Sequence, residues 1–207
     1  RSRGRRRTAL WAAALAVAVA GAGVTALTLR GQGGEPQGKD PKPSGSSSGP
    51  ASPQPDPVPA GYRLVEEEGA GLSLPVPKGW KRKALPDGTI AFIDPTGLAS
   101  LRVNVLDFAT TDPLQHWKDD EATSLANGKL PGYERLRMQS TSFRGQPAAI
   151  WEFTFDGRAR EFRAIDLGFG EPGEKEYALY LSAPSADWAQ YKQVFDHARD
   201  GLRIEDD

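Results

Sequence analysis

Six arginines fall within one short stretch of the chain: Arg135, Arg137, Arg144, Arg158, Arg160 and Arg163. A guanidinium is permanently charged and offers a planar fork of donors that matches a carboxylate or a phosphate. Arg158, Arg160 and Arg163 lie close enough in sequence to serve one anion, such as a phosphate or an anionic wall polymer. Glu152 and Glu161 are interleaved with them, and cross-strand ion pairs would use the same side chains. Both readings stay open at this level.

The remaining chemistry is sparse. The chain has two histidines and no cysteine. His116 and Asp120 are spaced i, i+4, with Asp119 and Glu121 beside them, so a metal site is conceivable. The simpler reading is an exposed polar helix face, and His197, among Asp196, Arg199 and Asp200, reads the same way. The absence of cysteine excludes thiol catalysis and Cys-based metal sites. No G-x-S-x-G, H-E-x-x-H or P-loop occurs, and no cofactor is expected in this chain. Asp166-Leu167-Gly168-Phe169 has the look of the metal-binding D-F-G of a protein kinase. No glycine-rich loop, strand lysine or H-R-D accompanies it, so there is neither nucleotide clamp nor base. Leu167 and Phe169 are therefore read as sheet residues.

The elements that must carry these residues begin near Tyr62. Glu66, Glu67 and Glu68 form a charge run, read as a solvated face. Gly71 to Pro77 alternates as a first strand, and its prolines favour an edge position. Thr89 to Asp94 reads as another strand, between the turns Pro86-Asp87-Gly88 and Asp94-Pro95-Thr96-Gly97. Leu101, Val103 and Val105 alternate with polar residues, the period of a half-buried strand. A helix follows. Asp112 is its N-cap, Pro113 its first residue and Gln115 a capping-box partner. Leu114, Trp117 and Leu125 share its apolar face, and Asn127-Gly128 ends it.

From Tyr133 the chain reads as a meander. The first strand runs to Arg144, with Leu136 and Met138 inward and Arg135 and Arg137 outward. Ala149, Trp151, Phe153 and Phe155 line one face of the next, and Asp156-Gly157 is a two-residue hairpin signal. Tyr177 to Ala183 is apolar on both faces, which predicts a central strand covered by helices. A closing helix from about Ser185 to Leu202 repeats Trp188, Tyr191, Phe195, Ala198 and Leu202 as one stripe. The fold class expected is α+β: an antiparallel meander sheet of about six to eight strands flanked by two helices.

The residues ahead of this domain are organised differently. Residues 8–29 contain no charge, and about 20 apolar residues span a bilayer core. A cleaved signal peptide is the alternative, with Ala18-Val19-Ala20 or Ala20-Gly21-Ala22 as its site. Residues 1–7 hold five arginines against the single Arg30 beyond the span. The positive-inside bias then places residues 1–7 in the cytoplasm as a juxtamembrane stub. Residues 30–61 are a Pro/Gly/Ser-rich linker with little to bury, which leaves residues 62–207 as an extracytoplasmic domain. That domain carries 24 acidic against 18 basic side chains, a poor footprint for nucleic acid. The chain starts at Arg1 and its single methionine is Met138, so a further segment is expected to precede it. Ala20, Gly21, Ala22 and Gly23 would permit close helix approach, and with it self-association.

Gly71 to Trp80, the turn at Asp94 to Gly97, and above all Gly145-Gln146-Pro147-Ala148-Ala149-Ile150-Trp151-Glu152-Phe153-Thr154 resemble the extracytoplasmic C-terminal region of actinobacterial transmembrane serine/threonine protein kinases. That region is similar in pattern to PsbP-like and LpqN-like domains. The resemblance implies an antiparallel sheet flanked by helices and a sensor role for the domain in a single-pass receptor at the cell membrane. The partners implied are the lipid bilayer and an extracytoplasmic ligand or cell-wall component. It carries no catalytic residue into this chain, because the kinase residues belong to a separate cytoplasmic domain. A membrane-anchored or secreted cell-envelope interaction protein without catalytic activity is the alternative expectation.

Overall fold

A computed structural model describes residues 57–106 and 112–204. The expected span at residues 8–29 and most of the linker lie outside the described residues. Among the described residues no helix is long and apolar enough to cross a membrane.

The chain opens with β1 (Tyr62–Glu67) and β2 (Leu72–Pro77), joined through a single 3-10 turn. It continues with β3 (Lys81–Ala84), β4 (Ile90–Ile93) and β5 (Ser100–Leu106). Helix α1 (Pro113–Ala126) leads into the meander β6 (Glu134–Phe143), β7 (Gln146–Asp156), β8 (Glu161–Phe169) and β9 (Glu176–Pro184). Helix α2 (Trp188–Asp200) and the short β10 (Arg203–Ile204) complete it. Seven strands form one antiparallel sheet in the order β3-β4-β5-β9-β8-β7-β6, and β1-β2-β10 form a second. The last long strand, β9, lies at the centre of the large sheet, as its two apolar faces predict.

Period-2 alternation divides the large sheet between two cores. On one face Phe92, Leu101, Ile165, Leu167, Phe169, Leu179 and Leu181 pack against β2 and α2, whose Phe195 and Ala198 are fully buried. On the other, Trp151, Phe153, Phe155, Phe162 and Ala164 pack with Trp117 of α1. Gly168 makes α1 possible, because a Cβ there would sit 2.7 Å from Trp117 Cζ2.

Several local expectations are corrected by pairing. β2 is not an edge strand; it lies between β1 and β10. Its prolines survive because β10 reaches only Leu72 and Ser73, leaving Pro75 and Pro77 with a single neighbour strand. Glu67 is buried rather than solvated, and Arg82 grips both its oxygens at 2.7 Å. The two-residue hairpin is Arg144-Gly145, closed by the Phe143–Gln146 pair and with φ of 51° and 84°. Asp156-Gly157 instead opens a longer loop, closed by the Asp156–Glu161 pair. Gly157 is needed there for space, since a Cβ would lie 2.5 Å from the Phe162 ring. Asp112 caps α1 through the amides of Leu114 and Gln115, but the Gln115 side chain bonds Asp119 and the capping box does not close.

β6 carries the largest departure. A bulge between Arg135 and Arg137 breaks the alternation, so that Arg135 lies opposite Phe153 and Arg137 opposite Glu152. The two arginines therefore serve opposite faces of the sheet. Leu136, expected inward, is 41% exposed.

Candidate functional site

The buried stripe of α1 is Pro113, Trp117, Asp120, Glu121 and Ser124. Leu125, assigned to the apolar face from its spacing, is 44% exposed. The helix thus docks with a largely polar face, and each polar group on it needs a partner. Glu121 takes Arg135 Nε at 2.7 Å, a second contact from the same guanidinium, and the Tyr133 hydroxyl. Trp151 Nε1 donates to the Tyr133 oxygen at 3.0 Å, and Trp117 Nε1 to the Ala149 carbonyl at 3.0 Å. Burial, together with the Glu121 carboxylate beside it, pushes the Tyr133 hydroxyl up to about 12.

One turn away lies a compact group of ionisable side chains. His116 Nδ1 is 2.7 Å from Glu176 Oε1, and His116 Nε2 is 3.9 Å from Asp120 Oδ2. Asp120 and Glu176 are both buried, so the expected exposed face is overturned. Cross-strand register puts Asp166 on this side of the sheet, between Tyr180 and Trp151, with Arg102 beyond Tyr180. Asp166 is buried and its Oδ1 has no hydrogen-bond partner. The Arg102 guanidinium carbon stands 5.4 Å from the Tyr180 ring centre, the separation of a cation–π contact.

Electrostatics follow from this enclosure. Burial raises Asp120 to about 6, against the pull of His116 and with the push of Glu176. Burial, then the charge of Asp120, drives Asp166 well above the ordinary carboxylate range. Burial lowers His116, but the hydrogen bond to Glu176 and the charges of Glu176 and Asp120 outweigh it, so the imidazolium is favoured. Tyr180 is pushed to about 12 by burial. Burial and mutual charge thus set the titration of this group apart from that of surface side chains. Among the described residues no set of three or more His, Asp or Glu could hold a metal ion.

The arginine triplet does not gather. Arg163 projects onto the α2 face, where Glu152 Oε1 accepts from it at 2.7 Å and Trp188 stacks beneath it at 5.0 Å. Arg137 reaches the same glutamate at 3.1 Å. Glu152 is thereby buried between two arginines, as the ion-pair reading anticipated. Arg158 and Arg160 sit exposed in the β7–β8 loop and form no ion pair with a described residue. They are the part of the triplet available to an external anion. His197 is exposed and stands edge-on to Tyr62 at 5.1 Å. The polar cluster under α1 had a signal in the sequence. The spacing 113, 117, 120, 121, 124 is a helical stripe that turns polar after Trp117, while the apolar stripe drawn through Leu125 pointed elsewhere.

Residues 64–204 match the family described as serine/threonine kinase C-terminal domain. No curated protein matches the chain. Among solved structures the fold is similar to the cyanobacterial PsbP, CyanoP, of Synechocystis sp. PCC 6803. Identity there is 16%, coverage 77% of this chain and 98% of that one, and the TM-score 0.55. LpqN, involved in cell envelope biogenesis of Mycobacterium tuberculosis, is 15% identical over 72% of this chain and 82% of its own, with a TM-score of 0.44. A putative regulator of unknown function from Pseudomonas aeruginosa, PA94, is 15% identical over 70% and 99%, at 0.46.

Proposed function

The chain belongs to the serine/threonine kinase C-terminal domain family, and on that premise we propose that residues 62–207 are the extracytoplasmic sensing domain of a single-pass receptor kinase. The family match over residues 64–204 carries this reading. The uncharged stretch at residues 8–29, flanked by five arginines on one side and a long polar linker on the other, supports the topology. The ionisable cluster lies beneath α1, with Asp120, Asp166 and Glu176 buried. The ligand class proposed is an anionic component of the cell envelope, met by Arg158 and Arg160 at the exposed loop.

Signal crosses the membrane in this scheme by clustering. A Pro/Gly/Ser-rich segment of about 30 residues is of a composition that would absorb a small rotation of the domain rather than transmit it. It does raise the effective concentration of partners once their domains are gathered. The test uses the full-length protein and reads autophosphorylation of its cytoplasmic part. Lengthening the linker by about ten Gly/Ser residues should be tolerated, and an inducible dimeriser in place of residues 62–207 should activate alone. Loss of signalling on lengthening, with no response to the dimeriser, would rule clustering out. A full-length protein without kinase activity would instead favour an anchored envelope-interaction protein.

A further inference from the structure

Among the described residues the two edges of the large sheet are built differently. β3 is four residues long and reads Lys-Arg-Lys-Ala. Short length and cations are what keep an edge from pairing with another strand. β6, at the opposite edge, is ten residues long, and its segment Met138–Phe143 contains no charge and no proline. Gln139, Ser140, Thr141 and Ser142 are all exposed.

The usual guards are present on β6 but disarmed. Arg135 is folded back onto Glu121 and Arg137 onto Glu152, so neither projects a free charge along the edge. The bulge that could twist the strand away lies at residues 135–137, in its first half only. The bulge also expels Leu136. Leu136 and Leu125 are the large hydrophobic side chains exposed among the described residues. Leu125 lies one helical turn from Glu121, the residue that Arg135 holds. Leu136 thus stands exposed on the edge strand itself, and Leu125 on the helix that packs against it.

We infer that β6 is a pairing edge for a second copy of this chain, antiparallel and two-fold, joining two seven-stranded sheets into one. A second copy fits better than an unrelated peptide. An antiparallel partner presents the same uncharged segment, so its own unpaired amides and carbonyls are satisfied in the same event. It also brings a second Leu136 and Leu125, adding apolar burial beside the ladder. The pairing depends on the domain alone and holds whether or not a kinase lies upstream.

The absence of cysteine makes the test clean. Ser140→Cys is introduced into the full chain in detergent, with Lys83→Cys on the β3 edge as the control, and both are treated with a short bismaleimide. Covalent dimer is expected from the Ser140 variant and not from the Lys83 variant. Association through residues 8–29 would not make that distinction between edges. Adding Thr141→Lys to the Ser140 variant should reduce the dimer about two- to fivefold, because a two-fold pair brings two like charges onto one short ladder. Thr141 is exposed, so the urea midpoint should stay put and exclude misfolding as the cause. Equal cross-linking at both edges, none at Ser140, or dimer undiminished by Thr141→Lys would overturn the inference. A monomer in which the outward β6 amides, those not bonded to β7, are nonetheless protected from hydrogen exchange would assign the edge to another extended segment and overturn it too.

Discussion

Replacing Asp120 by asparagine should make the domain more stable at neutral pH and leave it nearly unchanged in acid. Asp120 is buried against the sheet, 3.9 Å from His116 and near the charges of Glu176, Asp119 and Lys129. Its carboxyl is raised from 3.8 to about 6 in the folded state. The unfolded chain therefore loses this proton first as pH rises, and folding must then hold or recover it. A raised group gives its full contribution below the unfolded value and loses it up to the folded one. A factor of ten in ionisation is worth about 1.4 kcal/mol, so the cost reaches ~1 kcal/mol near pH 4.5 and ~3 kcal/mol near pH 7.5. Asparagine does not ionise and escapes this cost. Urea unfolding of both proteins across that range measures the effect; titrations away from the cluster cancel in the difference, while His116 and Asp166, which feel the Asp120 charge, shift with it. The gap between them should widen by ~2 kcal/mol from about pH 4.5 to pH 7.5. Parallel profiles would show that Asp120 ionises normally in the folded protein, and the enclosed cluster would have to be abandoned. His116, also raised, acts in the same direction at higher pH: its contribution is lost as pH climbs from 6.5 through the folded value. His116→Gln should therefore cost stability below about pH 6 and little above the folded value.

Trp151→Ala should destabilise the domain by ~3–5 kcal/mol in urea unfolding, since Trp151 is 3% exposed and stacks on Phe153 at 4.3 Å. Gly168→Ala should cost ~1–3 kcal/mol and shift tryptophan fluorescence, because its Cβ would displace the Trp117 ring. Arg158→Ala with Arg160→Ala should leave the melting temperature unchanged but abolish retention on an anionic wall polymer; retained binding would move the ligand site elsewhere on the domain. Asp94 opposes the cluster. Burial raises it, but hydrogen bonds from Thr96, the Ala99 amide and Tyr191 outweigh this and hold it below 3.8. Its contribution should fade as pH falls through that lower value, so Tyr191→Phe should weaken acid stability, measured by the pH midpoint of unfolding.

Local chemistry in the sequence was enough for much of the architecture. Strand alternation, Asp112 ahead of Pro113, the Asp94–Gly97 turn and the stripe from Trp188 to Leu202 depend on residues near each other in the chain. Backbone propensity and capping act at that range. The two apolar faces of Tyr177–Ala183 even placed that strand at the centre of its sheet.

What tertiary structure alone decided is which polar groups go inside. Glu67, Asp120, Glu121 and Glu152 look on the page like any other surface carboxylate. Burial of a charge is tolerable only where a partner meets it, and those partners, Arg82, His116, Arg135, and Arg137 with Arg163, come mostly from other elements. The bulge on β6 is of the same kind. It sends Arg135 and Arg137 to opposite faces because Glu121 and Glu152 wait on opposite sides of the sheet. Periodicity assumes an unbroken ladder, so no reading along one strand could separate two arginines that stand two residues apart.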